Sequence, residues 1–271
     1  MITYKELKGV LMVKRSAKKI LLISDFLSCG NIGGNLVRDV LSFYTYNVDF
    51  VPTALISNKF SISPIEISIQ SDYLKNTLKV FKEQEKSYDA IFIGFIKKDQ
   101  VDIIKDFVKD YKCPIFLDPI MGDKGSLYKS LDESIIRVYK DILDVADIIL
   151  PNFTEASLLT DYKFDNPRSL LDYFSSFGKK LIITSVKEGN KFYIYAKEFD
   201  FIKVEFKYIS HSFGGTGDLF DALFINFYLA GFSFIESIEK TRIMIEKILK
   251  KQMEIDPKTS DIDIGEIFKN I

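Results

Sequence analysis

The sequence predicts a three-layer α/β fold: a central, mostly parallel sheet flanked by helices on both faces, with a small antiparallel strand pair. Three observations predict it. Short apolar, β-branched runs recur at 20–23, 90–93, 115–117, 148–150 and 181–183, separated by longer amphipathic patterns. These runs are apolar throughout rather than alternating, as strands covered on both faces must be. The chain has 271 residues, 47% apolar and 28% charged, enough to bury one large core.

The elements follow in order. Ile20, Leu21, Leu22 and Ile23 form the first buried strand. Residues 72–85 place Tyr73, Leu74, Thr77, Leu78 and Phe81 on one helical stripe, and 99–110 and 132–145 behave alike. After Gly189 the pattern changes, and 191–196 and 201–208 read as antiparallel strands joined by a short turn. Helices at 218–230 and 234–251 and a short one near 264–269 close the chain. No repeat, low-complexity tract or Pro/Gly/Ser-rich linker divides it. One domain over 1–271 is expected, with 1–17 as a loosely ordered extension.

Composition excludes several classes. Thirty-seven basic residues against 38 acidic ones leave a net charge of −1, which argues against a general nucleic-acid binder. Cys29 and Cys113 form neither a disulfide framework nor a metal-ligand spacing. No apolar run reaches membrane-spanning length, and the polar, basic first residues lack the core of a signal peptide. A cytoplasmic protein is expected.

The chemistry concentrates in turns that follow the apolar runs, where open α/β sheets bind ligands. Gly214-Gly215-Thr216-Gly217-Asp218 opens the helix at 218–230. Glycines let successive amides point one way, and the helix adds its positive end, which suits phosphate. A carboxylate among those amides makes sense as a base for a hydroxyl attacking that phosphate. The alternative is a tight turn in which Thr216 or Asp218 merely caps the helix.

Three further turns carry polar groups. Asp118 and Asp123 stand in DPIMGDKGSLY, a stiff turn able to present carboxylates to Mg²⁺ and a nucleotide, or simply to solvent. Asn152 and Glu155 stand in PNFTE, placed either to cap a helix or to approach the same metal through its waters. Thr184 and Ser185 offer hydroxyls to phosphate oxygens or to a capped loop. Gly30, Gly33 and Gly34 punctuate the first loop, but neither GxGxxG nor GxxxxGK[ST] occurs, so neither of those devices holds a nucleotide.

Taken together, GGTGD, DPIMGDKGSLY, PNFTE and the PTALISN segment at 52–58 resemble the pyridoxal kinases of the ribokinase-like superfamily. The resemblance runs from about Ile20 to Lys251 in the family's motif order. It implies ATP-dependent phosphorylation of the hydroxymethyl group of pyridoxal, pyridoxine or pyridoxamine. It makes Asp218 the base, with Gly215, Thr216 and Gly217 as an anion hole. It places Asp118, Asp123, Asn152 and Glu155 on the magnesium and nucleotide side, with Asp118 and Glu155 toward the metal. Tyr128, Thr184 and Ser185 would lie near the phosphates, and Ser24, Asp25, Thr53, Lys59 and Phe95 at the ring pocket. A homodimer and a monovalent cation are also implied.

Some positions depart from the pattern. Many relatives carry SNHT where this chain has Ser57-Asn58-Lys59-Phe60, and often a small residue at Asp221. Gly214 stands where some members carry histidine, and the only histidine here, His211, is expected in a loop. The nearest alternative activity is hydroxymethylpyrimidine (phosphate) kinase of thiamin synthesis, and a sugar kinase is a weaker one. A non-catalytic B6-binding protein is an alternative of another class.

Overall fold

The apolar runs are the middle of a nine-stranded sheet in the computed structural model, which describes residues 18–60, 62, 64–207, 213–259 and 262–269. The expected extension at 1–17, His211 and the last residue of the 201–208 strand lie outside the described residues.

In chain order the elements begin β1 (Lys19–Leu27), α1 (Gly34–Phe43), β2 (Asn47–Ile56), β3 (Ile67–Ile69), α2 (Ser71–Glu83) and β4 (Ala90–Ile93). Next come α3 (Val101–Val108), β5 (Ile115–Leu117), β6 (Gly122–Asp123), β7 (Ser126–Leu127), α4 (Ser134–Ile142) and β8 (Ile148–Ile149). The chain continues with α5 (Phe153–Leu159), α6 (Pro167–Ser175), β9 (Lys180–Glu188), β10 (Lys191–Lys197) and β11 (Phe201–Phe206). It closes with α7 (Thr216–Leu229), α8 (Phe234–Ile255) and α9 (Ile264–Lys269).

The strand order is β11-β10-β9-β8-β5-β4-β1-β2-β3. Strands β2, β1, β4, β5, β8 and β9 run parallel, and β3, β10 and β11 join the edges through antiparallel pairing. The expected antiparallel pair is therefore β10–β11, at the edge of the main sheet, and β6–β7 forms a separate two-stranded hairpin. Leu21 and Ile23 of β1 point to one core, with Leu78, Phe107, Val138 and Phe174 of α2, α3, α4 and α6. Ile20 and Leu22 point to the other, with Val40, Phe224 and Ile248 of α1, α7 and α8. Strands apolar at every position result, and three layers follow.

Helix ends differ from expectation by a few residues. A 3₁₀ turn at Lys98–Gln100 precedes α3, and another at Leu143–Val145 follows α4. Strand β2 is the main element that apolar patterning fails to show. Asn47, Asp49 and Pro52 interrupt its apolar character. Its register against β1 slips at the carboxyl end, where Thr53 and Ala54 together oppose Asp25.

This order creates the site. From β1 the chain moves to β2 on one side, then returns to lay β4 on the other. Loops leaving β1 and β4 diverge, opening a crevice beyond their carboxyl ends.

Candidate active site

That crevice is lined by the ends of β1 and β4. Ser24 is fully buried and accepts the Phe95 N–H at 3.3 Å, while its hydroxyl donates to Asp25 Oδ1 at 2.8 Å. The space is tight: a Cβ on Gly94 would stand 2.3 Å from Ser24 Oγ. Thr53, at the slipped end of β2, donates its hydroxyl to the Phe95 carbonyl. Gln100 then donates to the Thr53 carbonyl at 2.8 Å and accepts the Lys97 N–H at 3.0 Å. Ser24, Asp25, Thr53 and Phe95, four of the residues expected at the ring pocket, are joined in one buried, hydrogen-bonded unit. Above it, Phe60 packs on Phe95 with ring centroids 5.1 Å apart and stacks on Tyr128 at 5.9 Å. The stem of Lys59 packs against Gly30, where a Cβ would meet Lys59 Cε at 2.9 Å.

Asp25 connects this unit to the start of α7. It is 2% exposed, and burial, with the nearby Asp218 charge, pushes its carboxyl up to about 6. Gly33 fits between the two acids because it has no side chain. A Cβ there would stand 2.7 Å from Asp25 Oδ2, and φ is +60°. The Gly33 amide stands beside the Asp218 carboxylate and favours its charge, yet burial raises that carboxyl above its usual range.

The α7 N-terminus separates binding from capping. Gly215 is the N-cap in the left-handed region, φ +82°, and no side chain caps the helix. The Thr216 hydroxyl instead donates backward to the Phe213 carbonyl at 3.0 Å. Asp218 turns toward Gly33 and its own amide. Among the described residues the amides of Thr216 and Gly217 thus keep no side-chain acceptor, and they carry the positive end of a fourteen-residue helix. The helix is held rigidly. Residues Leu219 to Phe227 are buried on every side, between α1 and α8.

The second group of residues comes together around the turn after β5. Glu155 is 4% exposed and accepts from Asn152 N at 2.9 Å, Met121 N at 3.1 Å and Gly122 N at 3.4 Å. Asn152 accepts the Glu155 amide at 3.0 Å, closing a capping box, and donates to the Gly122 carbonyl at 2.8 Å. The pair therefore ties α5 to the β6 turn. Burial dominates the Glu155 carboxyl and raises it to about 8 despite the three amides.

Asp118, 8% exposed, faces Asp221 within hydrogen-bond reach and feels the charges of Glu155 and Asp218. Burial and those charges raise Asp118 and Asp221 well above the carboxylate range. Tyr128 joins the group: burial and the charges of Glu155, Asp123, Asp218 and Asp118 push its phenol up.

Asp123 lies at the outer end of the hairpin and accepts the Lys124 amide at 2.8 Å. Thr184 pairs with Asn152 through a parallel bridge, and its amide donates to the Pro151 carbonyl at 3.0 Å. Ser185 is exposed with φ +59°, in a bulge where Thr184 and Ser185 together oppose Ile194.

The donor set fits Mg²⁺ in its usual manner, with one or two carboxylates and the remaining positions left to water and phosphates. Asp118 and Asp221 are within reach of each other, and Asp221 Oδ2 is buried without a partner. Among the described residues no three His, Cys, Asp or Glu side chains form a ready-made metal cage.

Comparison with known proteins agrees with this geometry. The phosphomethylpyrimidine kinase family model matches residues 50–263. A candidate pyridoxal kinase of Schizosaccharomyces pombe is 32% identical over 234 residues, spanning 78% of this chain and 68% of its own length. The chain belongs to the phosphomethylpyrimidine/pyridoxal kinase family. Its fold is ribokinase-like, and its chemistry is that of an ATP-dependent small-molecule kinase. A candidate phosphomethylpyrimidine kinase from Bacteroides thetaiotaomicron, crystallised with pyridoxal, superposes with a TM-score of 0.85 at 26% identity. It covers 94% of this chain and 96% of its own. PdxK of Plasmodium falciparum, solved with AMP-PNP and PL, shares the fold, with a TM-score of 0.80 at 24% identity over 93% and 95% of the two chains.

Within this family member, sequence reasoning missed three contributors. Gln100 is invisible in sequence because only tertiary contact with Thr53 gives it a role. Tyr139, fully buried on α4, donates to the Gly94 carbonyl at 3.2 Å beneath the crevice. Asp221 had a signal, a carboxylate inside an apolar helical run, but no partner in sequence.

Proposed function

We propose that this kinase phosphorylates the hydroxymethyl group of pyridoxal, pyridoxine or pyridoxamine, with ATP as donor. The observation that carries the reading is the uncapped α7 N-terminus with Asp218 in its first turn, facing the buried Ser24–Asp25–Thr53–Phe95 unit through Gly33. An alcohol seated over that unit meets Asp218 on one side and the amides of Gly215, Thr216 and Gly217 on the other. As the new O–P bond forms, Asp218 accepts the hydroxyl proton and ADP leaves. The amides hold the charge of the transferring phosphoryl group. The raised Asp218 carboxyl makes it a stronger base than a solvated aspartate.

Asp118, with Glu155 behind it, supports the magnesium side. Bound Mg²⁺ neutralises phosphate charge there. Asn152 and Thr184 position the nucleotide-side loops, with Asp123, Tyr128 and Ser185 around the phosphates. We read residues 1–271 as a single kinase domain, acting as a homodimer in a reducing, cytoplasmic setting. Two free cysteines accord with that setting. No helix among the described residues is long and apolar enough to cross a membrane.

A second reading is favoured by one observation, the phosphomethylpyrimidine kinase family model itself. Its substrate would be hydroxymethylpyrimidine or its phosphate. ATP consumption with Mg²⁺, offered the three B6 vitamers and hydroxymethylpyrimidine in parallel, decides between them. Turnover with a vitamer, lost in Asp218→Ala, supports the first reading. Turnover confined to the pyrimidine replaces it with the second, and silence on all four removes both.

A further inference from the structure

We propose that Gln100 is a positioning residue of this kinase, fixing the distance between the two walls of the crevice that receives the alcohol. The walls are the end of β2 at Thr53 and the loop after β4 at Phe95. The inference deepens the kinase reading and rests on it.

Strand β1 lies between β4 and β2 in the sheet, so no backbone pairing joins the loop after β4 to the end of β2. The last ladder bond of that loop runs from the Gly94 amide to the Ile23 carbonyl, at 2.9 Å. Beyond it, side chains replace the ladder. Tyr139 donates to the Gly94 carbonyl, Ser24 accepts the Phe95 amide, and Thr53 donates to the Phe95 carbonyl. Thr53 thus bridges the two walls, but at one point, about which the loop could pivot.

Gln100 makes the second bridge. It is fully buried in the 3₁₀ turn before α3, and both ends of its side-chain amide are used. Nε2 donates to the Thr53 carbonyl at 2.8 Å, and Oε1 accepts the Lys97 amide at 3.0 Å. The Gln100 backbone amide donates to the Lys97 carbonyl at 3.0 Å, so side chain and backbone grip the same residue. On the other wall the Thr53 carbonyl also takes the Gln70 amide, at 2.8 Å, which anchors it from the side of β3. A second bridge at Lys97 removes the pivot that one bond at Phe95 would leave. The joint needs a donor and an acceptor on one side chain. A carboxylate there would set an oxygen against the Thr53 carbonyl, and an apolar side chain would strip the Lys97 amide of its partner. A buried amide satisfied at both ends makes its surroundings rigid.

The test compares Gln100→Met, which keeps the shape and loses both bonds, with Gln100→Glu, which keeps only the bond to Lys97. With whichever alcohol the wild-type enzyme phosphorylates, kcat should fall about ten- to a hundredfold in both, the cost of a misplacement of about 1 Å. The KM for ATP should stay within about twofold, and ATP hydrolysis without alcohol should not change. A residue that only stabilises the fold would lower both activities in parallel. Parallel loss, a wild-type kcat in Gln100→Met or full turnover in Gln100→Glu overturns the proposal. Amide hydrogen exchange supplies a readout that needs no folded variant. In the wild-type chain the Lys97 amide should exchange at least about a hundredfold more slowly than an unstructured amide, and the unstructured rate overturns the proposal. In Gln100→Met the Phe95 amide, which Gln100 does not touch, should exchange faster while those of β1 keep their protection. An unchanged Phe95 amide overturns it as well. Wild-type silence on every alcohol removes the kinase reading, whereas wild-type turnover with any of the contrary outcomes removes the role of Gln100 alone.

Discussion

The Gly33 amide stands beside the Asp218 carboxylate and favours its charge, bringing the loop after β1 against the first turn of α7 across most of the chain. The same glycine faces Asp25 with its α-carbon. One residue without a side chain therefore sets the spacing between the candidate base and the substrate unit.

Asp218→Asn keeps the shape of that contact and removes the proton acceptor. It should lower kcat by about two to four powers of ten, the usual contribution of a general base, while ATP affinity stays nearly constant. Steady-state kinetics with a nucleotide-binding titration checks this, and a wild-type kcat would remove Asp218 from the mechanism.

Gly33→Ala should impair turnover more than its stability cost suggests. The new Cβ would sit 2.7 Å from Asp25 Oδ2 on a backbone with φ +60° and ψ −144°, a combination that glycine alone adopts readily. Kinetics at a temperature where a parallel melt shows the variant folded separates the two effects. Equal kcat in the folded variant would refute the spacing role.

Asp25 gives the stability of the ligand-free protein a pH dependence. Its folded carboxyl titrates near 6, above the value near 4 in an unfolded chain, because burial disfavours the charge. Between those pH values the folded state holds the proton that the unfolded state has lost. Stability from this group is therefore full below about pH 4 and falls as pH rises through 6, by about 3 kcal/mol in all. Asp25→Asn should flatten that part of a urea-denaturation profile, and an unchanged slope would contradict it. The charged neighbour facing Asp25 is Asp218, so Asp218→Asn should lower the Asp25 midpoint slightly.

Asn152→Ala should destabilise the protein by about 1–2 kcal/mol through loss of the α5 cap. It also releases the Gly122 carbonyl, so the β6 turn should exchange its amide hydrogens faster. Hydrogen exchange at Met121 and Gly122 tests that coupling, and protection equal to wild type would show the two loops to be independent.

Lys59 stands beside Gly30, in the segment where many members of the resembling family carry SNHT. If it sets substrate choice from beside Gly30, Lys59→His should change the ratio of kcat/KM between pyridoxal and hydroxymethylpyrimidine by about an order of magnitude, one pocket contact's worth. Parallel loss on both substrates would assign it a structural task only.

The sequence determined the sheet, because runs such as Ile20–Ile23 and Ala90–Ile93 are apolar at every position and can rest only between two layers. It also determined the glycine turn that opens α7, since Gly215 takes a left-handed φ and Asp218 stands three residues on. Tertiary structure decided the rest. Thr216 could have capped α7 on local grounds, and only its bond to Phe213 leaves the amides open. Glu155 looked equally like a metal ligand and a capping residue, and its acceptance of the Met121 amide, 34 positions away, shows how much of it holds backbone. Strand β2 was hidden because Pro52 and Asp49 break its pattern, yet its slipped register is what brings Thr53 to Phe95. Asp221 met Asp118 for the same reason. Local sequence fixes backbone preference, whereas the pairing of buried polar groups depends on which loops the strand order lays side by side.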